Sequence, residues 1–323
     1  MGDPSDWRPT ASRQALRLRD QLLRTLRTFF HARQFIEVET PLLSADVVVD
    51  QHLEPFAVEV PFGRATRRMW LQTSPEFAMK RLLAADSGPI FQVTHAFRQE
   101  ESGPRHNPEF TLVEWYRPGD GLLEGMELLS DLADELLGRG QAEPITYQAA
   151  FERHAGIDPH RATTAELIEL ASARGVILSP TTGDDRDFWL DVLLTELVEP
   201  LLGRGRPAIL YDYPASQAAL ARVRRGPPDV AERFELYVDG IELANGYHEL
   251  LDPDVLRLRN RENNLQRAAR GRPTLPEESR LLMAMEAGLP ACAGAALGFD
   301  RVAMLAAGAN TLSDVVPFPF DRA

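Results

Sequence analysis

Residues Ile90 to Arg117 read IFQVTHAFRQEESGPRHNPEFTLVEWYR. Two strand-like runs, Ile90 to Arg98 and Glu109 to Arg117, flank a polar stretch from Gln99 to Pro108. Short apolar runs rich in β-branched and aromatic residues, bounded by Gly, Pro and Asn, predict strands. The natural reading is an antiparallel pair joined by a long polar loop. Such a loop costs closure entropy and is usually kept for function.

Upstream of this pair, Ser12 to Arg33 carries Leu16, Leu22, Leu23, Leu26, Phe29 and Phe30 at three- and four-residue spacing, which predicts an amphipathic helix. Phe35 to Thr40 alternates and stops at Pro41, as a strand would. Met69 to Thr73 reads as another short strand. Ser74-Pro75-Glu76 then has the form of a helix start, with the helix over Phe77 to Ala85. Downstream, Leu122–Leu137, Tyr147–His154, Thr164–Arg174 and Asp187–Leu202 read as helices, the last three within a helical insertion at about 145–205. Ala208–Tyr213 and Phe234–Glu249 return to strand character. Asp254–Ala269 and Glu277–Ala287 are helical, Gly294–Phe299 is a strand of small residues, and Asp300–Ala307 a final helix. Hairpins outnumber βαβ units, so the expected fold is α+β, a mainly antiparallel sheet flanked by helices in a single domain over 1–323.

Composition narrows the function classes. A hydrophobic share of 44% with 26% charged residues is that of a globular protein, and no apolar run approaches the roughly 20 residues of a membrane span. The start Met1 to Trp7 has neither the basic nor the apolar region of a secretory leader, so a cytoplasmic location is expected. A net charge of −13 argues against a broad basic face tracking nucleic acid, while leaving room for local patches. The single cysteine, Cys292, permits no intrachain disulfide and reads as a small packed residue. The only lysine is Lys80; the preference for Arg reads as codon usage.

There is no Gly-rich phosphate cradle, so arginines and sheet residues would have to hold any nucleotide. Three constellations qualify. In Phe97-Arg98-Gln99-Glu100, Arg98 stands at a strand end facing the polar loop and could take a phosphate bidentately; a surface Arg–Glu pair is the plainer alternative. In Gly240 to Leu250, Glu242 and Glu249 are set among apolar residues beside Asn245. They suit Mg²⁺ if they converge, or are edge carboxylates facing solvent. In Gly294 to Arg301, small residues allow a flat ligand close to the backbone, and Arg301 falls in the first helical turn. Tight packing with Asp300 as a cap is the alternative.

The order of these segments resembles motifs 1, 2 and 3 of class II aminoacyl-tRNA synthetases: Phe35 to Pro41, then Phe97-Arg98-x-Glu100, then Gly298-x-Asp300-Arg301. Thr73 to Glu76, His106 to Thr111 and Glu242 to Gly246 are similar to the lysyl, aspartyl and asparaginyl subgroup, and to the lysyl branch most of all. The first helix is expected to start within about a dozen residues of Met1, so the anticodon-binding domain of that branch is not expected. Together with Trp115 to Pro118, Pro214 to Gln217, Ala231 to Glu235 and Arg267 to Gly271, this resembles the truncated lysyl-type family that modifies a protein. The resemblance covers the chain from about residue 10 to its end.

The resemblance implies that ATP and Mg²⁺ are used to activate (R)-β-lysine, which passes to a lysine ε-amine of elongation factor P. It implies Arg98 on the α-phosphate and Arg301 on the γ-phosphate, with Glu242 and Glu249 sharing Mg²⁺. Gln99, Glu100, His106, Asn107, Phe110, Leu243 and Gly298 complete the nucleotide set, Phe110 stacking on adenine. Ser74, Pro75 and Glu76 would receive the substrate's backbone amine. Glu114, Tyr116 and Glu249 would receive its side-chain ammonium, with Asn245 and Tyr247 lining the same pocket. Ala296 stands where the lysyl branch usually has Gly, a methyl consistent with a β-amino acid. A homodimer formed through the first helix and Phe35 to Pro41 is also implied. Two other readings stay open: an enzyme activating α-lysine for another acceptor, and an inactive synthetase relative acting as a regulatory subunit.

Overall fold

The computed structural model describes residues 7–176 and 185–323. The stretch 1–6, most of the segment read above for a leader, and residues 177–184 of the expected insertion lie outside the described residues. Two compact units divide the chain. One takes in the chain up to Asp120, Glu135–Leu137, and everything from Leu250 onward; the other covers Gly121–Asp134 and Gly138–Glu249.

The first unit opens with α1 (Arg13–Ala32), capped by Ser12, whose hydroxyl accepts from the Ala15 N–H. Its buried face is Ala15, Leu22, Leu26, Phe29 and Phe30, close to the face read from spacing. There follow β1 (Ile36–Glu37), β2 (Leu43–Ser44), β3 (Ala57–Phe62), β4 (Ala65–Leu71), α2 (Glu76–Ala84), β5 (Ile90–Phe97) and β6 (Glu109–Pro118). The second unit contains α3 (Leu122–Leu137, in large part), β7 (Glu143–Thr146), α4 (Tyr147–His154), α5 (Thr164–Ala173), α6 (Arg186–Leu193), β8 (Ala208–Pro214), β9 (Val223–Arg224), β10 (Val230–Val238) and β11 (Ile241–His248). The chain returns to the first unit with α7 (Pro253–Ala269), α8 (Arg280–Gly288), β12 (Cys292–Gly298) and α9 (Phe299–Ala306).

In the first unit β5, β6 and β12 are antiparallel neighbours, and β1 lies parallel on β5. A separate small sheet has the order β2-β4-β3. In the second unit β10 sits between β11 and β8, antiparallel to both, with β7 parallel on β8 and β9 antiparallel on β10. The architecture is therefore α+β with mostly antiparallel pairing. No helix among the described residues is long and apolar enough to cross a membrane.

Three local readings change. The strand expected over Phe35 to Thr40 pairs only at Ile36–Glu37, although the Val38 N–H still reaches the Phe91 carbonyl before the chain turns away toward Pro41. The helix expected over Asp187 to Leu202 ends at Leu193 and continues as a wider turn over Leu194–Val198 and a tighter one over Glu199–Leu201. Pro200 lacks the N–H a helix needs there. Strand β3 gave no clear signal, because most of its residues are exposed and Pro61 interrupts it.

Candidate active site

The alternation of a strand sends every second side chain to one face, and the register of β5, β6 and β12 turns this into rows. Ile90, Tyr116 and Gly294 form one row; Gln92, Glu114 and Ala296 the next; Thr94, Leu112 and Gly298 the third; Ala96 and Phe110 follow. One face thus carries Tyr116, Glu114, Phe110 and the small residues Gly294, Ala296 and Gly298. The opposite face carries Phe91, Trp115 and Ala295, and there the Phe30 ring of α1 stacks on Phe91 at 4.6 Å and lies 5.3 Å from Trp115. The aromatic layer backs the sheet; the other face carries the polar side chains. The Ala296 methyl stands directly across from Glu114.

Helix α2 completes this face. Ser74 sits just ahead of it; its hydroxyl accepts from the Glu76 N–H and donates to Glu114 Oε2 at 2.8 Å. Sequence reading placed Ser74 at the N-cap and Pro75 as the first helical residue; the structure places Pro75 at the N-cap and starts the helix at Glu76, one residue later, with the Ser74 hydroxyl on the Glu76 N–H. Tyr116 donates to the other Glu114 oxygen, Oε1. Burial, and then the nearby Glu76 carboxylate, push the Glu114 pKa up to about 7, against the pull of the Tyr116 and Ser74 hydrogen bonds and of Lys80. Lys80, assigned above to codon usage, is buried here and donates to Glu76 Oε1. Its sequence signal was its isolation: it is the one lysine in a chain that otherwise uses arginine.

A cationic group lies at the far end of the same strands. Arg98 leaves β5 with its N–H on the Pro108 carbonyl, and its guanidinium lies 4.9 Å from the centre of the Phe110 ring and pairs with Glu101 at 2.9 Å. Its Nε is buried without a hydrogen-bond partner. Arg301, in the first turn of α9, donates to the Arg105 carbonyl and lies 2.7 Å from His106 Nε2. Burial first, then Arg301, Arg98 and Arg105, hold the His106 pKa below its ordinary value, so the neutral ring accepts from Arg301. Arg301, Arg98 and Arg105 thus all act on the His106 ring, a positive neighbourhood of the kind that suits an anion. Asp300 is not a helix cap. It is buried, accepting from Arg19 at 2.6 Å and from the Thr111 N–H at 2.8 Å.

The other residues of this unit that the resemblance implies for a nucleotide are placed by their partners. The Gln99 N–H is fixed by the Glu54 carbonyl, and Glu54 is in turn paired with the fully buried Arg267. Glu100 pairs with Arg272. Both ends of the Asn107 amide are engaged by main chain, donating to the Glu109 carbonyl and accepting from the Phe320 N–H.

In the second unit β10 and β11 are joined by Asp239 and Gly240, with φ of 53° and 75°. This is the two-residue turn whose twist suits a hairpin, and Asp-Gly is its signature. The register then slips once: Glu242 faces Tyr237 but Ala244 faces Leu236, so Leu243 is an extra residue. In an unbroken strand Glu242 and Asn245 would point to opposite faces. The bulge returns them to the same face, where Asn245 lies opposite Glu235 and Tyr247 opposite Arg233. Asn245 donates to the Tyr247 hydroxyl at 2.9 Å. Glu249, two residues beyond Tyr247, continues the alternation and bridges to Ala221. On this same face the buried Glu235 accepts from Tyr213, Tyr237 and Arg233. No group of three or more His, Cys, Asp or Glu side chains placed to hold a metal occurs among the described residues. Mg²⁺ commonly uses one or two carboxylates plus substrate phosphates, so a pair such as Glu242 and Glu249 fits its donor chemistry.

The family model for class II tRNA synthetases (D, K and N) matches residues 5–322. Among curated proteins the chain is 46% identical, over 325 residues and the whole length of both chains, to the elongation factor P–(R)-beta-lysine ligases of Klebsiella pneumoniae subsp. pneumoniae and Klebsiella pneumoniae strain 342. The same identity and coverage hold for the ligase of that name from Salmonella arizonae. The chain belongs to the class II tRNA synthetase family of the D, K and N type.

Proposed function

We propose that this protein is a cytoplasmic ATP-dependent ligase that activates (R)-β-lysine as an aminoacyl-adenylate and transfers it to a lysine ε-amine of elongation factor P. The observation that carries the reading is the cluster of Ser74 with the buried Glu76, Glu114 and Tyr116, in a chain whose full-length relatives are named elongation factor P–(R)-beta-lysine ligases. A diamino acid calls for carboxylates, and the fixing of Glu114 by two hydroxyl donors supports that reading.

In the first step a carboxylate oxygen of the amino acid attacks the α-phosphorus of ATP and pyrophosphate leaves. In the second the acceptor amine attacks the acyl carbon and AMP leaves. Arg98 and Arg301 stabilise charge on the phosphates, already oriented before the substrate arrives. Phe110 offers its ring to adenine, with Gln99, Glu100, His106, Asn107, Leu243 and Gly298 around the nucleotide. Glu242 and Glu249 would hold Mg²⁺, which supplies charge neutralisation on the phosphates. Glu76 takes the backbone amine; Glu114, Tyr116 and Glu249 take the distal ammonium, with Asn245 and Tyr247 beside it. The Ala296 methyl, across from Glu114, narrows the pocket by one carbon; such a change is worth about 1–3 kcal/mol of discrimination.

The protein acts as a homodimer through α1 and the segment after it. Leu16, Ile36 and Leu42 there are exposed apolar residues, Ile36 by 56%. The test is ATP–pyrophosphate exchange with (R)-β-lysine and α-lysine, followed by mass analysis of elongation factor P, on material whose association is measured by sedimentation. Preference for the β-isomer and a mass gain on the acceptor are expected. Preference for α-lysine would move the reading to the other activity, and no exchange with either would make the chain an inactive relative. Sedimentation as a monomer alone would remove the dimer.

A further inference from the structure

Lys80 is the single lysine of a chain with 35 basic Lys and Arg residues, and only 2% of it is exposed. Burying an ammonium costs several kcal/mol unless a partner offsets it. Its partner is Glu76, one helical turn earlier on α2, with Nζ 2.5 Å from Oε1. The Tyr116 ring centre lies 5.7 Å from the same Nζ, within reach of a cation–π attraction. Ser74 connects this pair to Glu114, since its hydroxyl accepts from the Glu76 N–H and donates to Glu114. Two carboxylates and one ammonium are therefore built into one small cluster. An arginine would bring a wide planar fork, whereas lysine brings a point charge that occupies one carboxylate oxygen.

We propose that Lys80 is a positioning residue for the amino-acid pocket: it holds Glu76 by one carboxylate oxygen and supplies the positive charge that limits how many ammonium groups Glu76 and Glu114 accept. The inference rests on the assignment of Glu76 and Glu114 to the substrate amines. Without Lys80, Glu76 loses its fixed orientation and the pocket gains a unit of uncompensated negative charge. Recognition of the amino acid suffers, while the nucleotide half-reaction partners Arg98 and Arg301 are untouched.

The experiment is a cycle of Lys80→Met, Glu76→Gln and the double variant, read as KM for (R)-β-lysine and for ATP in pyrophosphate exchange, with melting temperature alongside. Lys80→Met is expected to raise KM for (R)-β-lysine tenfold or more while KM for ATP stays within twofold. In the double variant, removing both charges restores part of the melting temperature lost by Lys80→Met, yet its KM equals that of Glu76→Gln alone. A purely structural lysine would lower stability without this split. If Glu76→Gln leaves KM for (R)-β-lysine unchanged, the underlying assignment of Glu76 fails. If Glu76→Gln raises it but Lys80→Met does not, the inference about Lys80 fails by itself. Should Lys80→Met not fold, the double variant decides: a KM rise clearly beyond that of Glu76→Gln overturns the proposal.

Discussion

The two units bring their candidate site residues onto one face of a sheet in different ways. In the first, Glu114, Ala296 and Gly298 share a face because β5, β6 and β12 run through their register without interruption, and an aromatic layer holds the back. In the second, Glu242 and Asn245 share a face only because Leu243 is inserted, after an Asp-Gly turn has set the pairing. Uninterrupted alternation is insensitive to small shifts elsewhere. A bulge makes the position of one carboxylate depend on a single extra residue and on the turn two residues before it. The first arrangement should therefore fail through loss of packing, the second through strain in the backbone.

The largest effect is expected from removing the aromatic support. Phe30 is fully buried against Phe35, Phe91 and Trp115, and Phe30→Ala should cost about 3–5 kcal/mol in urea denaturation, by lost burial plus the cavity left behind. A loss under about 1 kcal/mol would mean that the sheet keeps its face without that layer. A smaller effect is expected at the turn. A Cβ at Gly240, where φ is 75°, would lie 3.0 Å from the Pro200 Cα and 3.1 Å from its carbonyl oxygen. Gly240→Ala should destabilise by about 1–2 kcal/mol, and Gly240→Asn, which tolerates positive φ better, by less. Equal stability of all three would show that the turn does not constrain β11.

The smallest effect is a pH dependence confined to the first unit. With its pKa raised to about 7, the empty Glu114 is largely protonated below neutrality, and an arriving ammonium needs it ionised. KM for (R)-β-lysine should therefore fall as pH rises from 6 to 8, by at most about tenfold per unit, or about 1.4 kcal/mol. The linked stability has the opposite sign. The native state holds this proton more tightly than the unfolded chain, so the contribution is full below the ordinary carboxylate range and is lost as pH rises through about 7. Glu114→Gln should flatten the KM profile while raising KM throughout; an unchanged profile would place the titration elsewhere.

Much of the fold was legible because its signals are local. The helix Leu122–Leu137 and the helix Tyr147–His154 fall where they were read, since spacing and caps decide them. Strand β3 was not legible, because an exposed strand has no apolar alternation to display. In the site, Ser74 and Glu114 were legible as residues, and Arg98 and Arg301 as charges at element ends. Lys80 was visible only as an isolated lysine among arginines, and that does not tell whether it is buried or solvated.

The sequence by itself determined the order of the motifs, the kinds of side chain gathered at each, and which strand residues alternate together, because these follow from the chain's own periodicity. Only the tertiary structure decided that Leu243 is a bulge, that the Asn107 amide is taken up by the main chain of Glu109 and Phe320, and that Lys80 faces Glu76 out of solvent. The physical reason is common to all three. Each depends on a partner strand, a distant chain segment or a local exclusion of water, and none of these is encoded in the residues immediately before and after.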